Sequence, residues 1–332
     1  MLYVTTRGDR DAFTAHRTLC TDAAPDGGFF IPMHFPQFTE SECKLILERS
    51  FEEIVSKILN IFFSARLTKW DVGLCLGRNT ARVLETSPKI LLAELWHNPG
   101  DSFGCVIDGL FQRVFGSNTD IAPSEWFKVA VKIAVLFGLY GELCRQSFLS
   151  YGDSIDLSVP ADDFSYSIAA LYAQEAGLPI GDIICKCTET QEVWNLIHRG
   201  TINVIGLPNS LKAGIERLVL LRLNSEAVDR LLTKRSFTAG VEEAEKLKRG
   251  LFCVISGTAR VSNALNSIYS TTGLIVSPTT ALCVVGLRDY RAKMRGSKLT
   301  LILEEDSPAL FADQIENATG ISKKKLLTDL RE

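Results

Sequence analysis

Six short apolar runs, each set between turn residues or helical patterns, constrain this chain more than any other feature. They are Ile90–Trp96, Ile155–Val159, Ile183–Cys187, Leu251–Ile255, Leu274–Val276 and Leu299–Leu303. Runs with so few polar positions suit strands covered on both faces, as in a parallel sheet. Helical patterns lie between and after them: Ser124–Leu143, Phe164–Ala176, Glu192–Arg199, Pro208–Leu223, Val241–Arg249, Val261–Ser270, Thr279–Met294 and Pro308–Ala318. This rhythm predicts an α/β fold, three layers α/β/α, with a mainly parallel twisted sheet from about residue 85 onward. Upstream the pattern changes. Thr39 and Glu42 have capping-box spacing, and Leu45, Ile46, Phe51, Ile54, Val55, Ile58, Leu59, Phe62 and Phe63 recur at helical intervals. Residues 1–88 therefore read as a mostly helical region, and 89–332 as a large α/β domain. Pro25-Asp26-Gly27-Gly28 is turn chemistry, and Phe29-Phe30-Ile31 after it reads as a short strand or core anchor.

Composition excludes several classes of function. The 332 residues hold 36 Lys and Arg against 39 Asp and Glu, a formal charge of -3. Such a chain lacks the basic surface that phosphate backbones require, so no nucleic-acid partner is expected. No apolar run reaches the roughly 18–20 residues that cross a bilayer, so no membrane is expected either. The first residues lack the layout of a signal peptide. Nine cysteines are scattered without a CxxC pair, which points to reduced thiols and a cytoplasmic location.

Familiar catalytic signatures are missing: there is no phosphate-binding P-loop, no GxGxxG after a strand, no GxSxG and no HExxH. His16, His34, His97 and His198 lack paired spacing and read as turn or surface residues. Cys185 and Cys187 share one face of a strand, either as a metal or thiol pair or as two small buried hydrophobes. Ser256-Gly257-Thr258 stands between a strand and a helix, as an anion site or an ordinary turn. Asp162-Asp163 suits acid–base or metal work, or helix capping. Glu304-Glu305-Asp306 precedes a helix and suits its first turn.

Several landmarks, taken in order, resemble the threonine synthase family, pyridoxal-phosphate enzymes of fold type II. Tyr3-Val4-Thr5-Thr6-Arg7-Gly8 and Ala24-Pro25-Asp26-Gly27-Gly28-Phe29-Phe30-Ile31-Pro32 are similar to the family's STRG and APDGGLYVP elements. Ser50-Phe51-Glu52-Glu53-Ile54 resembles its next helix, and Glu94-Leu95-Trp96-His97-Asn98-Pro99 its ELFHGP run. Ser124-Glu125-Trp126-Phe127 is similar to a SINW-type helix start. Val159-Pro160, Ala169–Ala173 and Gly177–Gly181 resemble a segment of the large domain. Ser277–Ala281 and Ser307–Asp313 resemble DPHTA and AHPAKFAD. The resemblance implies the large domain of a fold type II enzyme, with pyridoxal phosphate as the family's cofactor.

The functional positions depart from that pattern. The family's Schiff-base lysine matches Gly104, within Phe103-Gly104-Cys105, which offers no amine. Lys89 and Lys128 are nearest in sequence and neither holds that position. The family's phosphate loop matches Asp162-Asp163-Phe164-Ser165, where two carboxylates would repel a phosphate dianion. The residue near the pyridine nitrogen matches Glu304-Glu305. About twenty residues separate Gly104 from Ser124, where the family carries a small domain, and a short Gly109–Ala122 connection is expected instead.

The resulting expectation is a pseudoenzyme, with no cofactor and no catalytic, cofactor-binding or metal residues. Its vestigial pocket positions would be Gly104, Cys105, Asp162, Asp163, Phe164, Ser165, Glu304 and Glu305. It would act in binding or regulation, as a homo-oligomer or with a protein partner, through the exposed former cleft face. One alternative is repurposed chemistry, with Cys105 as nucleophile beside His97 and Asp101, Asp162 or Asp163 as orienting groups, set against Cys105 simply filling space. Another is a residual pyridoxal-phosphate-dependent threonine synthase using a different lysine.

Overall fold

Five of the six apolar runs pair side by side. In the computed structural model, residues 1–8, 11–76, 81–96, 98–116, 121–161, 164–187, 191–255, 259–294 and 298–330 are described. The N-terminal part comprises β1 (Leu2–Thr5), β2 (Phe13–Thr14), α1 (Ala15–Cys20), β3 (Phe30–Pro32), α2 (Glu40–Leu47), α3 (Phe51–Phe63) and α4 (Lys69–Leu76). Next come β4 (Arg82–Ser87), β5 (Ile90–Glu94), α5 (Phe103–Phe115), α6 (Glu125–Arg145), β6 (Ile155–Pro160), α7 (Ser165–Glu175) and β7 (Ile180–Cys187). Then follow α8 (Gln191–Arg199), β8 (Thr201–Asn203), α9 (Asn209–Arg222), α10 (Ser225–Lys234), β9 (Ser236–Thr238), α11 (Val241–Lys248) and β10 (Leu251–Ile255). The chain closes with α12 (Ala259–Thr272), α13 (Pro278–Lys293), β11 (Thr300–Glu304), a 3-10 turn at Pro308–Phe311, α14 (Ala312–Thr319) and α15 (Lys323–Asp329).

The main sheet runs β10-β7-β6-β11-β5-β4. Every neighbouring pair is parallel except β4 with β5. Alternate strand residues point to opposite faces. Leu91, Ala93, Leu157, Val159, Ile183, Cys185, Leu301 and Leu303 enter a core shared with α3 and α5–α9. Leu92, Ile184, Val254 and Ile302 enter a second core under α12–α15. The three-layer α/β/α arrangement read from the sequence is therefore the one observed.

The N-terminal part shares the first core rather than forming its own. Helices α2 and α3 start on complete capping boxes, Thr39 with Glu42 and Ser50 with Glu53. Each box satisfies backbone N–H groups that the first turn leaves without partners. The apolar face of α3 then packs on α6, whose own start is capped by Ser124 Oγ.

The structure corrects four expectations. Leu274–Val276 is no strand: it joins α12 to α13, and Val276 drops into the second core. A three-residue apolar run has too little length for its period to discriminate. The polar stretch Arg82–Ser87 does form a strand, at the sheet edge, where one solvated side tolerates charge. The first half of the expected Gly109–Ala122 connection is helix, because α5 runs to Phe115 on the apolar face of Phe103, Val106, Ile107, Leu110 and Phe111. Pro308–Ala318 divides into the 3-10 turn and α14.

Cys185 and Cys187 are buried in the first core, and Cys185 stands in register with Cys253 of β10. Among the described residues no group of His, Cys, Asp or Glu is arranged to hold a metal ion, and no helix is long and apolar enough to cross a membrane.

The α3–α6 contact makes a quantitative prediction. A Cβ at Gly141 would lie 2.7 Å from Ile54 Cδ1 and 2.8 Å from the Leu47 carbonyl oxygen. Alanine would gain about 1 kcal/mol of helix propensity, but overpacking against backbone costs about 1–3 kcal/mol. Gly141→Ala is therefore expected to lower the urea midpoint, with the slope of unfolding free energy on urea unchanged.

Candidate functional site

The carboxyl ends of β5, β6 and β11 meet at one edge of the sheet. The chain leaving β5 and β6 passes to α5 and α7 over the first core, while the chain leaving β11 passes to α14 over the second. This reversal beside β11 is a topological switch point, where open α/β sheets leave a crevice for ligands.

Glu304 ends β11 and is fully buried. Its carboxylate accepts from the Ser277 backbone N–H at 2.7 Å and from Trp96 Nε1 at 3.2 Å. Burial pushes its pKa up to about 8, against the pull of the Ser277 and Trp96 hydrogen bonds, and Glu94 nearby adds to the rise. The expectation that Glu304 serves a helix first turn is thus corrected: β11 extends one residue further than its apolar run and carries the carboxylate into the interior.

Glu305 is the next residue out. Its Oε1 lies 3.3 Å from Lys132 Nζ, and its carbonyl accepts from the Phe103 N–H at 2.7 Å. Lys132 comes from the middle of α6 and is only 4% exposed. Its ammonium donates to Ser165 Oγ at 2.7 Å and lies 4.1 Å from the centre of the Tyr166 ring. Burial raises the pKa of Asp306, and Lys132 opposes that rise.

The structure brings several of the sequence-selected positions together. Glu304, Glu305 and Ser165 meet around Trp96 and Lys132. Phe164, fully buried and left-handed at φ 60°, precedes α7. Gly104 lies in the first turn of α5, whose start is tied to β11 by the Phe103–Glu305 bond and by Ser307 N–H donating to the Asp101 carbonyl at 3.0 Å. Cys105 is the most open of the nine thiols and is exposed, which corrects the expectation that it fills space: Phe103, Val106 and Ile107 take the buried face of α5. Asp101 accepts from Asn98 Nδ2 at 2.8 Å. His97, Asp162, Asp163 and Ser256–Thr258 lie outside the described residues.

Sequence reasoning missed Lys132 and Trp96. The available signal was a single cation inside the apolar run Val129–Leu136. Lys186 offers the same signal within Ile183–Cys187, is 2% exposed, and donates to the Cys187 carbonyl. His198 is exposed, in keeping with its reading as a turn or surface residue, and its Nε2 lies 2.8 Å from the Cys253 carbonyl.

Glu304 makes stability depend on pH. Its folded pKa near 8 exceeds its ordinary 4.5, so between those values the folded state holds a proton that the unfolded chain releases. The contribution is complete below about pH 4.5 and is lost as pH rises through 8. Urea unfolding should weaken across that window, by on the order of a few kcal/mol, and Glu304→Gln should flatten the profile.

Comparison with known proteins completes the description. The family model for the threonine synthase N terminus matches residues 2–78. Threonine synthase-like 1 of Homo sapiens is 25% identical over 182 residues, 48% of this chain and 24% of that protein. The Mus musculus counterpart is 32% identical over 76 residues, 23% of this chain and 10% of its own length. The chain thus spans about a quarter of the human relative it matches. Threonine synthase from yeast superposes with a TM-score of 0.82 at 16% identity, over 98% of this chain and 94% of that one. The PLP-bound threonine synthase from Brucella melitensis gives 0.80 at 17% identity, over 97% and 92%. The N-terminal match and the curated relatives support a diverged relationship to the threonine synthase family, whose fold the chain shares.

Proposed function

We propose that this chain is a threonine synthase-related protein without the cofactor chemistry, acting by binding or assembly in the cytoplasm. The observation that carries the reading is the Lys132–Glu305 ion pair, closed by Ser165. By resemblance, Ser165 belongs to the phosphate loop and Glu305 to the neighbourhood of the pyridine nitrogen. Here a protein cation joins the two. Pyridoxal phosphate needs an unprotonated amine to condense with its aldehyde, and a backbone cradle for its phosphate. Gly104 offers no amine, Lys132 is held in an ion pair, and Ser165 takes the place that the resemblance gives to the second glycine of the phosphate loop. The residues present do not fit the group.

Incubation with pyridoxal phosphate followed by borohydride is the direct test. The expected result is no saturable aldimine band and no adduct at a buried lysine. A saturable band, with the reduced adduct mapped to Lys132 or Lys186, overturns the reading and restores a pyridoxal-phosphate enzyme.

Assembly through the carboxyl edge of the sheet is the second part of the proposal. Ile255, at the end of β10, is 39% exposed there. Light scattering on the purified chain should report a homo-oligomer, and a strict monomer would count against it.

The exposure of Cys105 on the first turn of α5 supports one further reading, a repurposed nucleophile. Alkylation by iodoacetamide separates the two. Labelling at the rate of an ordinary exposed thiol fits the non-catalytic reading, and a rate enhanced many-fold favours the nucleophile.

A further inference from the structure

A cavity of about 450 Å3 opens between the N-terminal segment, the loop after β8 and the helices α9 and α10. Its charged lining consists of three cations, Arg7, Lys212 and Arg235, and one acid, Glu216. None of these residues belongs to the Lys132–Glu305 cluster.

Glu216 is committed to positioning. One carboxylate oxygen accepts from Thr6 Oγ1 at 2.8 Å and the other from Arg7 Nη2 at 3.2 Å. Arg7 Nη1 also donates to the Asp26 carbonyl at 3.0 Å. The guanidinium is therefore fixed and its charge matched, while its Nε–H is buried without an acceptor. Lys212 and Arg235 are different: among the described residues neither side chain has an ion pair or hydrogen bond. The cavity keeps a surplus of two positive charges.

The backbone around Arg235 adds a second observation. Arg235 closes α10 in the left-handed region at φ 51°, and its carbonyl accepts from the Val204 N–H at 3.0 Å. Glycine is the residue that occupies such a C-terminal position without strain, and another residue costs about 1 kcal/mol. An arginine held there keeps a cation at the cavity wall. Val204 and Leu231 supply apolar lining.

We propose that this cavity binds a small dianion carrying a short carbon skeleton, an organic phosphate or a dicarboxylate. Lys212 and Arg235 meet the two negative charges, and the Arg7 Nε–H supplies a fixed donor. Charge-assisted bonds to guanidinium and ammonium groups are the strong ones, and a partly enclosed cavity screens them less than open surface does.

Calorimetric titration of the full chain with glycerol 3-phosphate and with succinate tests the proposal. Saturable binding is expected, weakened by added salt, and about tenfold weaker in each of Lys212→Gln and Arg235→Gln. Among the described residues neither side chain has a partner, so unchanged melting temperatures serve as the folding control. Binding of glycerol 3-phosphate alone assigns the site to organic phosphates, and of succinate alone to dicarboxylates. Binding of both assigns it to the shared charge. No saturable binding of either ligand to about 10 mM, or binding that survives both substitutions, overturns the proposal.

Discussion

A lysine ammonium inside the long, largely buried helix α6 governs how the layers meet. Most of α6 is enclosed, from Trp126 to Leu143, and Lys132 lies within that stretch. Removing a charge from water costs several kcal/mol, and the cost is met only where partners are held in good geometry. Ser165 at the start of α7, Glu305 beyond β11 and the face of Tyr166 supply those partners. One cation thereby sets the relative positions of the central helix, the helix after β6 and the strand at the switch point. Glu304, one residue further in, answers to the Trp96 indole and the Ser277 amide. The carboxyl edge of the sheet at the switch point is thus laced together by side chains of the chain itself.

The N-terminal part is joined by a comparable device. Arg217 on α9 is 1% exposed, donates to the Phe30 carbonyl at 3.2 Å, and lies within 6 Å of the ring centres of Phe29 and Trp126. Tyr3 donates to the Phe62 carbonyl at 2.6 Å and meets Trp126 edge-on. The aromatic rings around these polar atoms exclude water, which strengthens the bonds they surround. The segment that matches the threonine synthase N terminus is consequently a wall of the α/β body rather than an appendage to it.

Most of the sheet was legible in the sequence because a parallel strand enclosed on both faces is largely apolar, a condition met closely by β5, β10 and β11 and, apart from the buried Asp156, Ser158 and Lys186, by β6 and β7. The capping boxes of α2 and α3 were legible because capping is local chemistry at fixed spacing. What was not legible depends on tertiary environment. The edge strand β4 carries charge because one side of it is solvated. Leu274–Val276 has the composition of a strand but finds its burial beneath helices. The candidate site was half legible: the resemblance selected Glu304, Glu305 and Ser165, but Glu305 and Ser165 meet through Lys132, while Glu304 turns to Trp96 and Ser277. A lone lysine in an apolar helix has no spacing rule that reveals its partner.

The long reach of the Thr6–Glu216 hydrogen bond has a consequence for synthesis. Its partners are 210 residues apart in the chain, and Phe30 waits almost as long for Arg217. Contacts between distant positions cannot form until the later one has left the ribosome, and such non-local closure slows folding. During translation the first strands and their buried aromatic residues must remain without their final covering until two-thirds of the chain has emerged. Their need for protection by chaperones is set by the protein's topology.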